Sequence, residues 1–205
     1  DELLDLLVEA CLQGSRAKDG GGSLEGLLSE ALIGVLGEAD DIPRQTMLTL
    51  VRALLQAKSD IKLASAGVAR RVLGGLVNRS ASRFINDFLV DELRSEDTEI
   101  DAATLHAAIF ELFVIDSSFV CRILPNLQAE LRSEEAERRV MLTELVGKMV
   151  CHYPSAGTRA DLHSTLVETH PLLLDRLLER LDDADEGVRL VAVAVAGALV
   201  EAAAA

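Results

Sequence analysis

The sequence contains no tryptophan and very few other aromatic residues. Aromatic residues make up 3% of the 205 residues, whereas hydrophobic residues make up 49%. The apolar content is therefore mostly leucine, alanine and valine, and only four prolines interrupt the chain. Strands favour aromatic and β-branched side chains. This composition argues against a β-sandwich and suits stacked helices.

Cysteine is also scarce. The chain has three cysteines, Cys11, Cys121 and Cys151, which is an odd number at wide spacing. Disulfide frameworks in small secreted domains use an even number of closely spaced cysteines. The pattern predicts buried free thiols and a reducing compartment.

Positive charge and long apolar runs are lacking as well. The formal net charge is −14, which opposes non-specific binding to a phosphate backbone. The most apolar stretch, residues 188–205, is interrupted by Arg189 and Glu201. We therefore expect no direct nucleic-acid binding, no membrane span and no signal peptide.

One phrase recurs along the chain. Residues 127–140 read LQAELRSEEAERRV and residues 177–190 read LLERLDDADEGVRL, with looser copies at residues 92–96 and 32–44. Leucines four apart lie on one helix face, and acidic residues favour the first turn of the helix that follows. An apolar helix, an acidic turn and a second helix are typical of HEAT repeats of about 40–47 residues.

Two arginines occupy the same place in the two best copies. Arg139 aligns with Arg189, and Ser133 aligns with Asp183, each at an offset of 50 residues. Ser and Asp are favoured helix caps. We expect these arginines to be structural and to reach an acidic turn in the same or the next repeat.

These patterns predict an all-α fold, an α-solenoid of HEAT-type hairpins with about ten to eleven helices and no strands. We expect Pro43 in the first turn of a helix, a cap at Ser80, a capping box at Thr98 and Asp101, and a kink at Pro125. The predicted helices cover residues 1–13, 24–37, 43–58, 60–78, 81–93, one ending near 113, 116 or 117 to 132, 133–152, 158–169 and a final pair within 171–200.

The chain reads as one array. We expect residues 1–205 to form a single HEAT-repeat array cut from a longer solenoid, because repeat arrays end in polar caps. Residues 14–23 (GSRAKDGGGS) are the only low-complexity stretch. Their composition predicts a flexible loop or linker, or an artificial junction.

Candidates for chemistry are few. The one cluster that resembles metal ligands is Cys151 and His152, with His163 and His170 downstream. Zinc ligands come in pairs two to five residues apart, and adjacent residues point to different helix faces. We expect no metal, no cofactor and no catalysis, and an enzyme or metal protein using Cys151, His152 and His163 stays open as an alternative.

A basic group is the other candidate. Arg70, Arg71, Arg79 and Arg83 form a local excess of positive charge. Such a group is either a row of solvated helix-surface side chains or a binding patch.

Several segments in order carry a family resemblance. They are ELFVID at 111–116, ILPNL at 123–127, L-x-S with E-x-R over 131–139, L-x-x-KM at 145–149, and RLD with VRL over 180–190. Weaker similarity appears at 69–73 and 84–89. Together they resemble the precocious dissociation of sisters family of sister-chromatid cohesion regulators.

The resemblance implies the N-terminal HEAT region of a non-enzymatic, nuclear, chromatin-associated regulator of cohesin. Such proteins bind the kleisin subunit and recruit the wings apart-like release factor and acetylation machinery. The alternative is a HEAT adaptor of another pathway, such as transport, phosphatase or condensin-like scaffolding. The expected partner contacts are Arg70, Arg71, Arg83, Arg138, Thr143 and Lys148.

Overall fold

A computed structural model describes residues 2–14, 23–55, 60–77, 82–94, 100–120, 122–152 and 171–204. Those residues form ten α-helices and two short 3₁₀-helices and contain no strand. The α-helices are α1 (Glu2–Gly14), α2 (Ser23–Gly37), α3 (Arg44–Leu55), α4 (Asp60–Leu76), α5 (Ser82–Arg94), α6 (Ala102–Ile115), α7 (Leu124–Glu130), α8 (Ala136–Cys151), α9 (Pro171–Leu178) and α10 (Glu186–Ala204).

The chain divides into two compact units. Unit 1 is Asp1–Val120 and unit 2 is Cys121–Ala205. The 3₁₀-helix Ser117–Phe119 belongs to unit 1, and the 3₁₀-helix Glu179–Asp182 joins α9 to α10 in unit 2. The second copy of the repeated phrase, residues 177–190, therefore lies wholly inside unit 2.

Unit 1 is held together by aliphatic side chains between α2, α3, α4 and α6. Leu48 and Leu50 of α3 and Leu73 of α4 are fully buried. Gly75 lets α4 approach α2, because an added methyl group would come within 2.7 Å of Ile33 Cγ1. Gly75 therefore serves the close packing of α4 against α2.

The start of α6 differs from the predicted capping box. Asp101 is itself the N-cap, and its Oδ1 accepts a 2.9 Å hydrogen bond from the Thr104 backbone N–H. The Thr104 hydroxyl donates to Asp101 Oδ2 at 2.6 Å. These bonds lower the pKa of Asp101, the side-chain bond from Thr104 contributing most. Asp101 caps α6 with its own side chain, so the cap does not require the predicted capping box with Thr98. Thr98 lies outside the described residues.

In unit 2, α8 and α10 are in close contact. They are the second helices of two successive hairpins. An added methyl group at Gly147 of α8 would come within 2.8 Å of Val195 Cγ1 of α10. Leu142, Val146 and Val150 on α8 are buried. The two helices can approach this closely because Gly147 has no side chain.

Pro125 does not kink a long helix. It is the second residue of the short helix α7, which begins at Leu124 after a turn, and Asp116 caps the separate 3₁₀-helix Ser117–Phe119. Proline is tolerated in the first turn, where its missing N–H would have no partner. The predicted continuous helix ending at residue 132 was therefore wrong.

Other boundaries shift by a residue or more. Pro43 lies just before α3, where its carbonyl accepts from the Met47 N–H at 3.2 Å. The helix predicted over 133–152 is α8, which begins at Ala136 and ends at Cys151. Ser80, the loop 14–23 except its two ends, and the helix predicted over 158–169 lie outside the described residues.

Within the described ranges, no helix has both the length and the apolarity needed to span a membrane.

Candidate functional site

The recurring arginine binds the turn that precedes its own helix. Arg139 Nη1 donates to the backbone carbonyls of Ser133 (2.7 Å) and Glu134 (3.0 Å). Arg189 Nη1 makes the same two bonds, to Asp183 O (2.6 Å) and Ala184 O (2.9 Å). The structural role expected of both arginines is confirmed.

Arg139 also reaches into the next repeat. Its Nε and Nη2 donate to Asp183 Oδ2 (2.9 Å) and Oδ1 (2.8 Å). The two side chains are 11% and 3% exposed, respectively. A bidentate arginine–carboxylate pair of this kind is among the stronger polar contacts in proteins.

Asp183 is the centre of this network. It also accepts from Arg180 Nη1 at 2.8 Å and from the Asp185 N–H at 3.0 Å. The hydrogen bond from Arg139 is the largest cause that lowers the pKa of Asp183, and it raises the pKa of Arg139. The acidic turn therefore locks α8 to α10 and leaves little of its charge available to a partner.

An open groove runs beside this lock, between α8 and α10. Its volume is about 390 Å³, and its lining is mainly apolar. The floor is made of small or branched aliphatic residues, which leave room for a side chain from outside. The lining residues are Glu144, Gly147, Lys148, Cys151, Val191, Ala194, Val195 and Ala198.

Of the predicted contacts on α8, Lys148 lies at this groove. Its Nζ is 4.0 Å from Glu144 Oε2, and its side chain is 62% exposed. Exposed ion pairs of this kind contribute about 1 kcal/mol or less. Lys148 can therefore exchange its partner for a carboxylate of another molecule at low cost.

Arg138 and Thr143 are placed differently. Arg138 Nε lies 3.5 Å from Glu130 Oε2 of α7, and burial raises the pKa of Glu130 while Arg138 opposes that shift. Thr143 is fully buried, and its hydroxyl donates to Arg139 O at 2.7 Å. Thr143 is thus an internal residue and not part of an exposed row, because its face of α8 is covered.

The basic residues of unit 1 are spread over two helices. Arg70 of α4 pairs with Glu111 of α6. Arg71, also exposed, follows it on α4. Arg83, at the start of α5, lies 4.6 Å above the centre of the Phe84 ring. Arg70 and Arg83 are therefore engaged with residues of the same unit, and Arg79 lies outside the described residues.

The thiol and imidazole candidates do not converge in the part of the chain that is described. There, no three His, Cys, Asp or Glu side chains are grouped as metal ligands. Cys151 Sγ lies 3.9 Å from Val195 O, and burial raises the pKa of its thiol. A raised pKa disfavours the reactive thiolate. His163 and His170 lie outside the described residues.

The whole described chain matches one family model. That model, the sister chromatid cohesion protein PDS5, matches residues 1–204. The chain belongs to the PDS5 family. The resemblance drawn from the motifs at 111–116 and 180–190 is confirmed, together with the placement among regulators of sister-chromatid cohesion.

Curated PDS5 proteins are similar over much of this chain. PDS5 homolog A of Arabidopsis thaliana is 24% identical over 154 residues, which is 74% of this chain and 9% of that protein. PDS5 homolog B of Homo sapiens is 25% identical over 117 residues, 56% of this chain and 8% of that protein. This PDS5-family chain thus spans less than a tenth of these relatives' length.

A solved structure supports the fold. It is described as the Pds5–Scc1 complex with implications for cohesin function. The likeness has a TM-score of 0.53 and 14% identity, and it covers 96% of this chain and 38% of that one. The predicted all-α, helical-repeat solenoid class is confirmed.

The groove is the feature that sequence reasoning missed. Its signal was present, since Gly147, Ala194 and Ala198 are small residues within the helices predicted over 133–152 and 171–200. Sequence spacing alone did not show that Gly147 and Val195 face each other.

Proposed function

We propose that this PDS5-family chain is a non-enzymatic scaffold that regulates cohesin on chromatin in the nucleus by binding the kleisin subunit. Family membership over residues 1–204 carries the proposal. The structurally similar Pds5 chain was solved in complex with Scc1, which supports a kleisin as the partner. Binding of a wings apart-like release factor and of acetylation machinery belongs to the same proposal, on the family resemblance alone.

The groove between α8 and α10 is the proposed contact on this chain. Its floor residues Gly147, Ala194 and Ala198 are small, so an aliphatic or aromatic side chain of the kleisin can enter between the helices. Buried anchors of this kind supply most of the affinity at protein interfaces. Lys148 at the rim then pairs with an acidic residue and sets the register of the bound segment.

The basic residues Arg70, Arg71 and Arg83 remain a secondary proposed contact. Arg71 is exposed on α4, and Arg70 would have to leave Glu111 to bind a partner. Arg138 is likewise paired with Glu130. The groove residues need no such exchange, except at the weak Lys148–Glu144 pair.

Filling the groove tests the site. Ala194 is an exposed groove residue of α10, so Ala194→Trp adds bulk in the groove without disturbing the buried core. We expect the variant to weaken binding of a recombinant Scc1-type kleisin by about tenfold, a loss of about 1.4 kcal/mol. Isothermal titration calorimetry measures this directly.

Ala103→Trp is the matched control, because Ala103 is exposed on α6 in unit 1. It should bind the kleisin like the parent chain. Equal affinity of Ala194→Trp and the parent would remove the groove from the proposal. If the parent chain binds a transport cargo but no kleisin, the alternative of an adaptor from another pathway replaces the kleisin proposal.

A further inference from the structure

A polar groove lies in unit 1 between α1 and α3 and is distinct from the groove proposed for the kleisin. Its volume is about 230 Å³. The buried residues Leu12 and Ala53, which are 5% and 6% exposed, form its floor. Its other lining residues are polar or charged, namely Glu9, Gln13, Gln45, Thr49 and Arg52. This α1–α3 groove therefore offers mainly hydrogen-bonding side chains around a small apolar floor.

The two walls of the α1–α3 groove are joined by a polar contact. The buried Thr46 hydroxyl of α3 donates a hydrogen bond to Asp5 Oδ1 of α1. The lining residues Thr49 and Glu9 follow three and four residues later on the same two helices. Since α1 and α3 belong to one compact unit, the groove is formed by the fold of unit 1 itself and needs no partner to exist.

Two carboxamide side chains line the groove, one on each wall. Gln13 and Gln45 are exposed, and across the described ranges neither carboxamide has a hydrogen-bond partner. The Thr49 hydroxyl donates to the main-chain carbonyl of Gln45 at 3.0 Å, a contact that does not use the Gln45 side chain. A carboxamide carries two N–H donors and a carbonyl acceptor. It can therefore pair with both the C=O and the N–H of a peptide backbone.

The spacing of the polar residues fits an extended peptide. Glu9 and Gln13 are four residues apart on α1, and so are Gln45 and Thr49 on α3, which places each pair about 6 Å apart along its helix axis. Two residues of an extended chain span about 6.6 Å, so one wall can meet every second residue of such a chain. A helical peptide would not fit this chemistry, because its backbone groups bond one another.

We propose that the α1–α3 groove binds an extended segment of a partner protein by its backbone. Gln13 and Gln45 hold the peptide groups, and a small aliphatic side chain of the segment lies over Leu12 and Ala53. Main-chain hydrogen bonds supply the affinity in other sites that bind extended peptides. Charges of both signs line the groove and the chain carries a net charge of −14, so a phosphate backbone is disfavoured.

Selection of peptides on the whole chain tests this site. A phage-displayed library of short linear peptides is selected on the immobilised chain, and the enriched peptides are synthesised with a fluorescent label. Fluorescence polarisation then gives their affinities. We expect the double variant Gln13→Ala, Gln45→Ala to bind at least one enriched peptide about tenfold more weakly than the parent, the effect of losing about two hydrogen bonds.

Gln128→Ala is the matched control, because Gln128 is a half-buried glutamine of α7 in unit 2. It should bind that peptide like the parent chain. Ala194→Trp, which fills the other groove, should also leave this binding unchanged. Circular dichroism of the double variant should match that of the parent, because both substituted side chains are exposed.

Methylation of single backbone nitrogens in the peptide tests the same contact from the partner's side. Methyl groups on alternate residues should weaken binding about fivefold, because each removes one N–H donor, whereas those on the residues between should have little effect. This pattern decides the question even if the double variant loses helix content. The proposal is overturned if no enriched peptide depends on Gln13 and Gln45, if methylation has no effect, or if the bound peptide is helical.

Discussion

Asp183 connects several parts of the described region of unit 2 through its carboxylate. Its carboxylate is 3% exposed, and it accepts hydrogen bonds from Arg139, Arg180 and the Asp185 N–H. A buried charge that loses its partner is costly, whereas a fully hydrogen-bonded one is tolerated. The acidic turn thus links α8 to the turn that precedes α10 through one side chain.

Removing this charge should destabilise the chain. We expect Asp183→Asn to lower the free energy of unfolding at pH 7 by about 3 kcal/mol, because it leaves Arg139 partly buried without its carboxylate. Urea unfolding followed by circular dichroism measures the change. Asp182→Asn removes a neighbouring exposed acid and should change stability little.

The Asp183–Arg139 pair predicts that the free energy of unfolding depends on pH in the acid range. The pKa of Asp183 is lowered in the folded state by its bond to Arg139, so the unfolded chain binds a proton more readily. The contribution to stability is therefore complete above the unfolded pKa of about 3.9 and is lost as pH falls through the lower folded value. Asp183→Asn should make the unfolding free energy less dependent on pH in this acid range. An unchanged slope would contradict the role given to the pair.

At the scale of elements, the contact of α8 with α10 depends on a missing side chain. Gly147 stands where any Cβ would overlap Val195. The packing of two helices at such a point requires that one of them present almost no side chain. The groove beside it exists because α10 also carries Ala194 and Ala198 at this surface.

We expect Gly147→Ala to destabilise unit 2 by about 1–3 kcal/mol, the usual cost of overpacking. Gly197→Ala is the matched change on α10. Because no described atom lies within 4 Å of a Cβ added there, it should raise the free energy of unfolding by up to about 1 kcal/mol through helix propensity. Thermal unfolding of both variants gives the comparison. Equal effects of the two substitutions would show that helix propensity, and not close packing, decides them.

Most helices could be predicted from the sequence, since leucine spacing and acidic turns are local signals. The roles of Arg139 and Arg189 were also predictable, because the alignment of two phrases places them at one structural position. The kink predicted at Pro125 was wrong because a proline inside an apolar run indicates a kinked helix, whereas Pro125 lies in the first turn of the short helix α7. Thr143 misled because polarity alone does not show that its hydroxyl bonds the Arg139 carbonyl within the helix.

The groove of the candidate site could not be predicted from the sequence. Lys148 was predicted as a contact on its charge, and the structure places it at the groove rim. The groove brings together residues of two helices that are far apart in the sequence, such as Cys151 and Val195, which are 44 positions apart. Which small residues of two helices face each other is set by the packing of the whole hairpin, and not by any local pattern.

At the scale of the whole molecule, the chain is two helical units of a PDS5-family protein. The relatives it matches are more than ten times longer than the matched stretch, which is 9% of the Arabidopsis protein. What this chain contributes, on our account, is one kleisin-binding groove in unit 2.

Hydrogen–deuterium exchange of the chain with and without an Scc1-type kleisin tests that account most directly. Binding in the groove should slow exchange of backbone amides in residues 144–151 of α8 and 191–198 of α10, and Ala194→Trp should remove that protection. Kleisin binding that leaves these two segments unprotected, or that protects unit 1 alone, would contradict the account.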